Sequence, residues 1–200
     1  MKETGKQELF EFLRDIDARL DGEKLEGKVT LYVFGGAAAV IAYGSKRGTV
    51  DIDGYLDDKR IWRKLVEWAG EDTALAKKHG IYFQSANTGL MLIEDPDWKD
   101  RSVEMLEHGL KHLRVMALGK EDLILSKLSR YNDRDRQDIQ FIAENHKIAP
   151  KKLIAYYKSA RKYYIGRLET LDQTFNIVLE ENFGIKPLEF GLTTPPENRA

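Results

Sequence analysis

The chain has no cysteine among its 200 residues, which excludes disulfide cross-links and thiol chemistry. It also lacks a run of about eighteen apolar residues, the minimum for a membrane-spanning helix. Met1–Gln7 is polar instead of a charged-then-apolar leader. The expectation is a cytoplasmic protein with no membrane partner. Neither sign of charge dominates: 32 Lys+Arg face 33 Asp+Glu, for a net charge of −1. Attraction to nucleic acid must therefore come from local patches, not from the field of the whole molecule. Internal repeats and low-complexity blocks are absent too. Histidine is scarce, and although His108 and His112 stand four apart like zinc ligands on a helix, no HExxH pattern or cysteine accompanies them. His79 and His146 fall near expected helix ends, where an imidazole meets free carbonyls.

What is present is a core's worth of apolar residues, 42% of the chain, arranged with two periods. Leu9, Phe12, Leu13, Ile16 and Leu20 share one face of an N-terminal helix, and a second helix spans Arg60–Ala69 with Trp62 and Trp68 as core anchors. Val29–Phe34 is a β-branched and aromatic run, as expected of a buried strand, and Thr49–Leu56 reads as another. Further strands are expected at Ile81–Ser85, Leu90–Glu94 and Leu113–Leu118, with helices from Lys120 onward. This is an α/β (α+β) plan, a mixed sheet with flanking helices and a helical C-terminal part.

The chemistry gathers around the first two strands. Gly35 and Gly36 end Val29–Phe34 and precede the small-sided, helix-prone Ala37–Tyr43. Lacking Cβ, they allow positive φ and close approach of a ligand, at a helix start whose N–H groups suit phosphate. Eleven residues after Gly36 comes Arg47-Gly48-Thr49-Val50-Asp51-Ile52-Asp53. On a strand, residues two apart project from one face, so Asp51 and Asp53 present two carboxylates together while Ile52 points to the core. Such a pair is unfavourable without a cation, and Mg²⁺ or Mn²⁺ takes oxygen ligands in this way. Arg47 and Thr49 add a charge and a hydroxyl near the phosphates. A calcium loop beginning at Asp51 fails, because its twelfth position is Trp62.

Gly-Gly followed by Arg-x-Thr-x-Asp-Ile-Asp resembles the nucleotidyltransferase superfamily with the DNA-polymerase-beta-like fold, and within it small prokaryotic AbiEii-like toxins. Lys127 with Arg134-Asp135-Arg136-Gln137-Asp138-Ile139 is similar to a later segment of that group. The resemblance covers roughly residues 28 to 145. It implies phosphate binding at Gly35 and Gly36, metal ligation by Asp51 and Asp53, and nucleotide or acceptor contacts for Lys127 and Asp138. Many members have a third metal carboxylate on a later strand; Glu94, Asp95, Asp97 and Glu104 are the candidates, none in a clean alternating run. Ile93–Arg101 reads as a turn with a charged flank.

If Lys120–Asn145 is helical, with a break near Asn132, then Lys127, Tyr131, Arg134 and Asp138 share one face at steps of four, three and four. After Pro150 the apolar steps Leu153, Tyr157, Ala160, Tyr164, Leu168, Leu171, Phe175 and Val178 predict one long helix closed by Gly184. Lys151, Lys152, Lys158, Arg161, Lys162 and Arg167 interleave there with Tyr156, Tyr157, Tyr163 and Tyr164. They are read either as an RNA-binding stripe or as core tyrosines with wet lysines. The expected division is a domain over 1–146, a long helix over 147–184, and a flexible tail over 185–200.

Two functions follow. One is a metal-dependent nucleotidyltransferase that moves a nucleoside monophosphate from an NTP to a hydroxyl on RNA (a tRNA end) or protein. Asp51, Asp53, Lys127 and Asp138 are then catalytic, and Gly35, Gly36, Arg47, Thr49, Lys127 and Arg134 hold the nucleotide. The resembled toxins imply an antitoxin partner. The alternative is an inactive module of the same fold that binds RNA or a protein.

Overall fold

A computed structural model describes residues 5–56, 58–86, 96–106 and 109–191. The order of elements is α1 (Lys6–Arg19), β1 (Val29–Val33), α2 (Gly35–Tyr43), β2 (Asp51–Leu56), α3 (Lys59–Ala69), α4 (Ala74–His79), β3 (Tyr82–Ser85), β4 (Val103–Glu104), β5 (Leu113–Ala117), α5 (Lys120–Ser126), α6 (Asp133–Asn145), α7 (Pro150–Ala160) and α8 (Leu168–Phe183). The chain divides into two compact units, Met1–Ala86 with Ser102–Leu118, and Asn87–Arg101 with Gly119–Ala200. The division thus falls at Leu118–Gly119, earlier than the expected boundary near residue 146, because α5 and α6 pack with the later helices.

The first unit holds a five-stranded mixed sheet in the order β3-β2-β1-β5-β4. β1 runs antiparallel to β2 and parallel to β5, and β2 runs parallel to β3. Alternation does what period two requires. Val29, Leu31 and Val33 are buried on β1, and Ile52 and Leu56 on β2, as are Leu9, Phe12, Leu13 and Ile16 of α1, and α2 packs on β2. Gly54 is needed where β2 meets β3, since a Cβ there would lie 2.5 Å from the Phe83 ring.

Asp17 of α1 ties the helix to the distant strand β5. Its carboxylate accepts hydrogen bonds from the backbone N–H of Lys111, His112 and Leu113 at 2.9, 2.8 and 2.7 Å. Those N–H groups stand at the start of β5, where a buried donor without an acceptor would be costly.

In the second unit α5 packs on α6 and α7, and α6 on α8. The expected single helix after Pro150 is two helices, separated by a 3₁₀ turn at Arg161–Tyr163 and the extended residue Tyr164. The reason lies in the apolar steps themselves. Eighteen residues of straight helix span about 27 Å, yet the rings of Tyr157 and Phe175 stack with centroids 3.8 Å apart. Folding back buries both rings, and the Arg161 guanidinium bridges the break by donating to both carboxylate oxygens of Asp172 at 2.6 and 2.7 Å. Tyr157 and Arg161 are therefore core residues, which removes them from the expected RNA-binding stripe. Gly184 does close α8, with φ +64°. Residues 185–191 are not a loose tail: Leu188 pairs with Asn176 in both directions, and Phe190 packs edge-on to Tyr157 at 4.9 Å. The expected strand Leu90–Glu94 and the remainder of the tail lie outside the described residues.

Among the described residues no helix is long and apolar enough to cross a membrane.

Candidate active site

β1 ends at Val33 and the chain turns directly into α2 through Gly35, whose φ is +58°. Only a residue without Cβ takes that conformation at low cost. β2 begins at Asp51 beside this turn, and the Phe34 N–H donates to the Asp53 carbonyl at 2.9 Å. The pairing brings the glycines and the acids together. A Cβ on Gly35 would lie 2.7 Å from Asp53 Oδ2, and one on Gly36 would lie 3.1 Å from Thr49 Oγ1 and 3.3 Å from Arg47 Nη2. Gly35, Gly36, Arg47, Thr49 and Asp53 thus form one cluster at the head of α2. Helix geometry leaves the first-turn N–H groups there without intrahelical acceptors.

Asp51 and Asp53 share a face of β2, with Ile52 buried between them on the other. Thr49 Oγ1 donates to Asp51 Oδ1 at 2.7 Å. The parallel register with β3 sets Tyr82 opposite Asp51 and Gln84 opposite Asp53. Gln84 Nε2 then donates to both acids, at 2.6 Å to Asp53 Oδ1 and 3.2 Å to Asp51 Oδ2. The field of the pair is felt nearby. Burial pushes the Tyr82 hydroxyl above its ordinary pKa, and the charges of Asp51, Glu71 and Asp53 push it further.

The third carboxylate expected on a later strand does not join them. Glu104, on β4, accepts from Arg114 at 2.6 Å; Asp97 is exposed on a 3₁₀ turn; Glu94 and Asp95 lie outside the described residues. Among the described residues no group of three or more His, Cys, Asp or Glu side chains could hold a metal ion. The donor set nevertheless suits Mg²⁺, which is commonly held by one or two carboxylates and completed by water and substrate phosphate. Gln84 is the residue that sequence reading missed. Its signal was the one amide in the strand Tyr82–Ser85, but only the β2–β3 register shows what it faces.

Lys127 and Asp138 belong to the other unit. They meet, with Lys127 Nζ 2.6 Å from Asp138 Oδ2 and 3.6 Å from Asp135 Oδ1. The expected helical face does not bring them together, because α5 stops before Lys127 and Tyr131 has φ +41°. In consequence Arg134 is exposed while Asp135 and Asp138 are buried, and the Tyr131 hydroxyl is 3.2 Å from Glu181 Oε2. Asp135 also takes Arg130 in two hydrogen bonds of 2.8 Å. Burial works to raise the Asp135 pKa, but the Arg130 hydrogen bonds, the charges of Lys127 and Arg130, and the Asn132 N–H together hold it below the ordinary value.

Other candidates are structural. His79 Nε2 lies 2.8 Å from Asp15, and His112 Nε2 lies 2.6 Å from Asp21. His146 caps α6 with its ring against Phe141, and His108 lies outside the described residues. An open pocket of about 660 Å³ sits at the opposite end of β1, lined by Lys24, Lys28, Asp58 and Arg60 among others. Two of its cations are engaged: Lys28 donates to the Leu110 carbonyl at 2.7 Å and Arg60 to that of Lys24 at 3.1 Å.

A mixed sheet with a Gly-Gly helix start on one central strand and paired acids on its antiparallel neighbour defines a nucleotidyltransferase class of protein. Comparison with known families agrees. The chain belongs to the family described as "Nucleotidyltransferase of unknown function (DUF6036)", whose model matches residues 7–178. No curated protein and no solved structure matches it.

Proposed function

We propose that this protein is a metal-dependent nucleotidyltransferase that moves a nucleoside monophosphate from an NTP to a hydroxyl on RNA, such as a tRNA end, or on a protein. One observation carries the reading: Asp53 lies against Gly35 at the head of α2 while sharing the Gln84 amide with Asp51. Asp51 and Asp53 are the ligands for Mg²⁺ or Mn²⁺, which when bound neutralises phosphate charge and orients the α-phosphorus. The N–H groups at Gly35 and Gly36 receive phosphate oxygens, and Arg47 beside Gly36 adds a fixed positive charge. The acceptor oxygen forms a bond to the α-phosphorus as the bond to pyrophosphate breaks.

The likeness of Gly35-Gly36, Arg47–Asp53 and Lys127–Asp138 to the AbiEii-like toxins supports a toxin role with an antitoxin partner. Lys127 has two carboxylates around it, so its contribution is proposed to be the placing of Asp138 and α6, with Arg134 an exposed cation of that segment. A second reading, an inactive module of this fold binding RNA or protein, is favoured by the lack, among the described residues, of a third acid grouped with Asp51 and Asp53.

The test is incubation of the purified full chain with Mg²⁺ or Mn²⁺, each α-labelled NTP in turn, and total cell RNA and protein. Label should pass to an acceptor and stop doing so in Asp53→Asn. Equal behaviour of wild type and Asp53→Asn, with salt-sensitive RNA binding retained, would establish the binding module instead.

A further inference from the structure

Gln84 does more than fill space between strands. A glutamine amide has two N–H donors and one carbonyl acceptor, and here the donor side is turned to Asp51 and Asp53. Two carboxylates that share one donor repel unless something positive or donating stands between them. A lysine or arginine there would neutralise the pair permanently and compete with an arriving cation. A glutamate would add a third negative charge. An amide does neither, and the torsion that turns it end for end is broad and roughly two-fold.

We propose that Gln84 is the third arm of the cation site, holding Asp51 and Asp53 side by side before the ion arrives and offering the ion its Oε1 afterwards. The proposal rests on the nucleotidyltransferase reading for the presence of a cation, and adds to it which residue completes the protein's donor set. With two acids and an amide, the site carries one negative charge fewer than a three-acid site. Its grip on a divalent ion by itself is correspondingly weak, and the ion binds with its nucleotide because the phosphates supply the missing anionic oxygens.

The experiment is Mn²⁺ binding to the full chain, followed by the electron paramagnetic resonance signal of free Mn²⁺, with and without a non-hydrolysable NTP analogue. Thermal unfolding of each metal-free variant serves as the fold control. Gln84→Ala should weaken Mn²⁺ binding about tenfold or more, the scale seen when a partner of a metal ligand is lost. Gln84→Glu should tighten Mn²⁺ binding by a similar factor, reduce its dependence on the nucleotide analogue, and lower the melting temperature of the metal-free protein at neutral pH. If both variants bind Mn²⁺ as wild type does while Asp51→Asn abolishes binding, Gln84 is only a packing residue, and the transferase reading survives. If wild type and Asp51→Asn bind Mn²⁺ equally, with or without nucleotide, both ideas are overturned.

Discussion

Asp53 Oδ2 occupies the space into which a side chain at Gly35 would grow, 2.7 Å from where its Cβ would stand. Gly35→Ala therefore combines two penalties, a left-handed backbone conformation and displacement of the acid. The expected loss of stability is about 1–3 kcal/mol, read as a shift of the urea midpoint. Label transfer should fall further than that loss explains, because Asp53 is pushed out of line in molecules that remain folded.

Asp51→Asn keeps the shape of the site and removes one charge. Metal-dependent label transfer should drop at least about a hundredfold, while urea stability without metal holds or rises because a like-charge contact is relieved. Parallel losses of activity and stability would show Asp51 to be structural.

Lys127→Met should cost about 3–5 kcal/mol, the penalty for stripping a buried ion pair of one partner. Lys127 and Asp138 side chains are 3% and 2% exposed, so solvent does little for the acid left behind. The double variant Lys127→Met/Asp138→Leu should recover part of that loss in urea denaturation. A single-variant loss below about 1 kcal/mol would mean that the pair contributes little.

The pH dependence of stability follows from Asp135, whose folded pKa lies below the ordinary 3.8. A depressed carboxyl stabilises the fold fully above the unfolded value, and that contribution disappears as pH falls through the folded value. Stability should accordingly decline as the medium is acidified below about pH 4. Asp135→Asn should flatten that acid limb in denaturation curves taken at several pH values, while lowering stability at neutral pH.

Phe190→Ala should destabilise the second unit by about 1–3 kcal/mol, less than for a fully buried phenylalanine. Its ring closes over the stacked Tyr157 and Phe175, with centroids 4.9 and 6.0 Å away. The check is a lower thermal midpoint together with greater exposure of Tyr157 in its fluorescence.

How much of this was legible in the chain can be seen in two contrasts. β1 was plain from its β-branched and aromatic run and β2 from the strand pattern of Thr49–Leu56, because local rules decide a strand; the antiparallel pairing of the two across α2 is what brings Gly35-Gly36 to the acids. Gln84 was hidden, since its partners come from a pairing across more than thirty residues that no local period encodes. The second contrast concerns helices. Lys127 and Asp138 were rightly grouped, but for the wrong reason. The steps of four and three carried one helical phase across the expected break near Asn132, whereas Asn132 and Asp135 cap a new helix there by exchanging side-chain and backbone hydrogen bonds of 3.0 and 3.2 Å. Likewise the apolar steps from Leu153 to Val178 fit a straight rod and a folded pair equally well. The stack of Tyr157 on Phe175 decided between them, and burial of that kind is a tertiary gain.

The sheet unit is discontinuous, with β5 supplied by residues after 102. During synthesis on the ribosome, β1 must wait for more than eighty residues before its parallel neighbour emerges, its edge bare in the interval. A fragment truncated after Ala86 would keep every residue assigned to the cation site and lose the strand that pairs with β1. Such a fragment is expected to aggregate, so the smallest useful expression piece of the sheet unit has to run through Leu118.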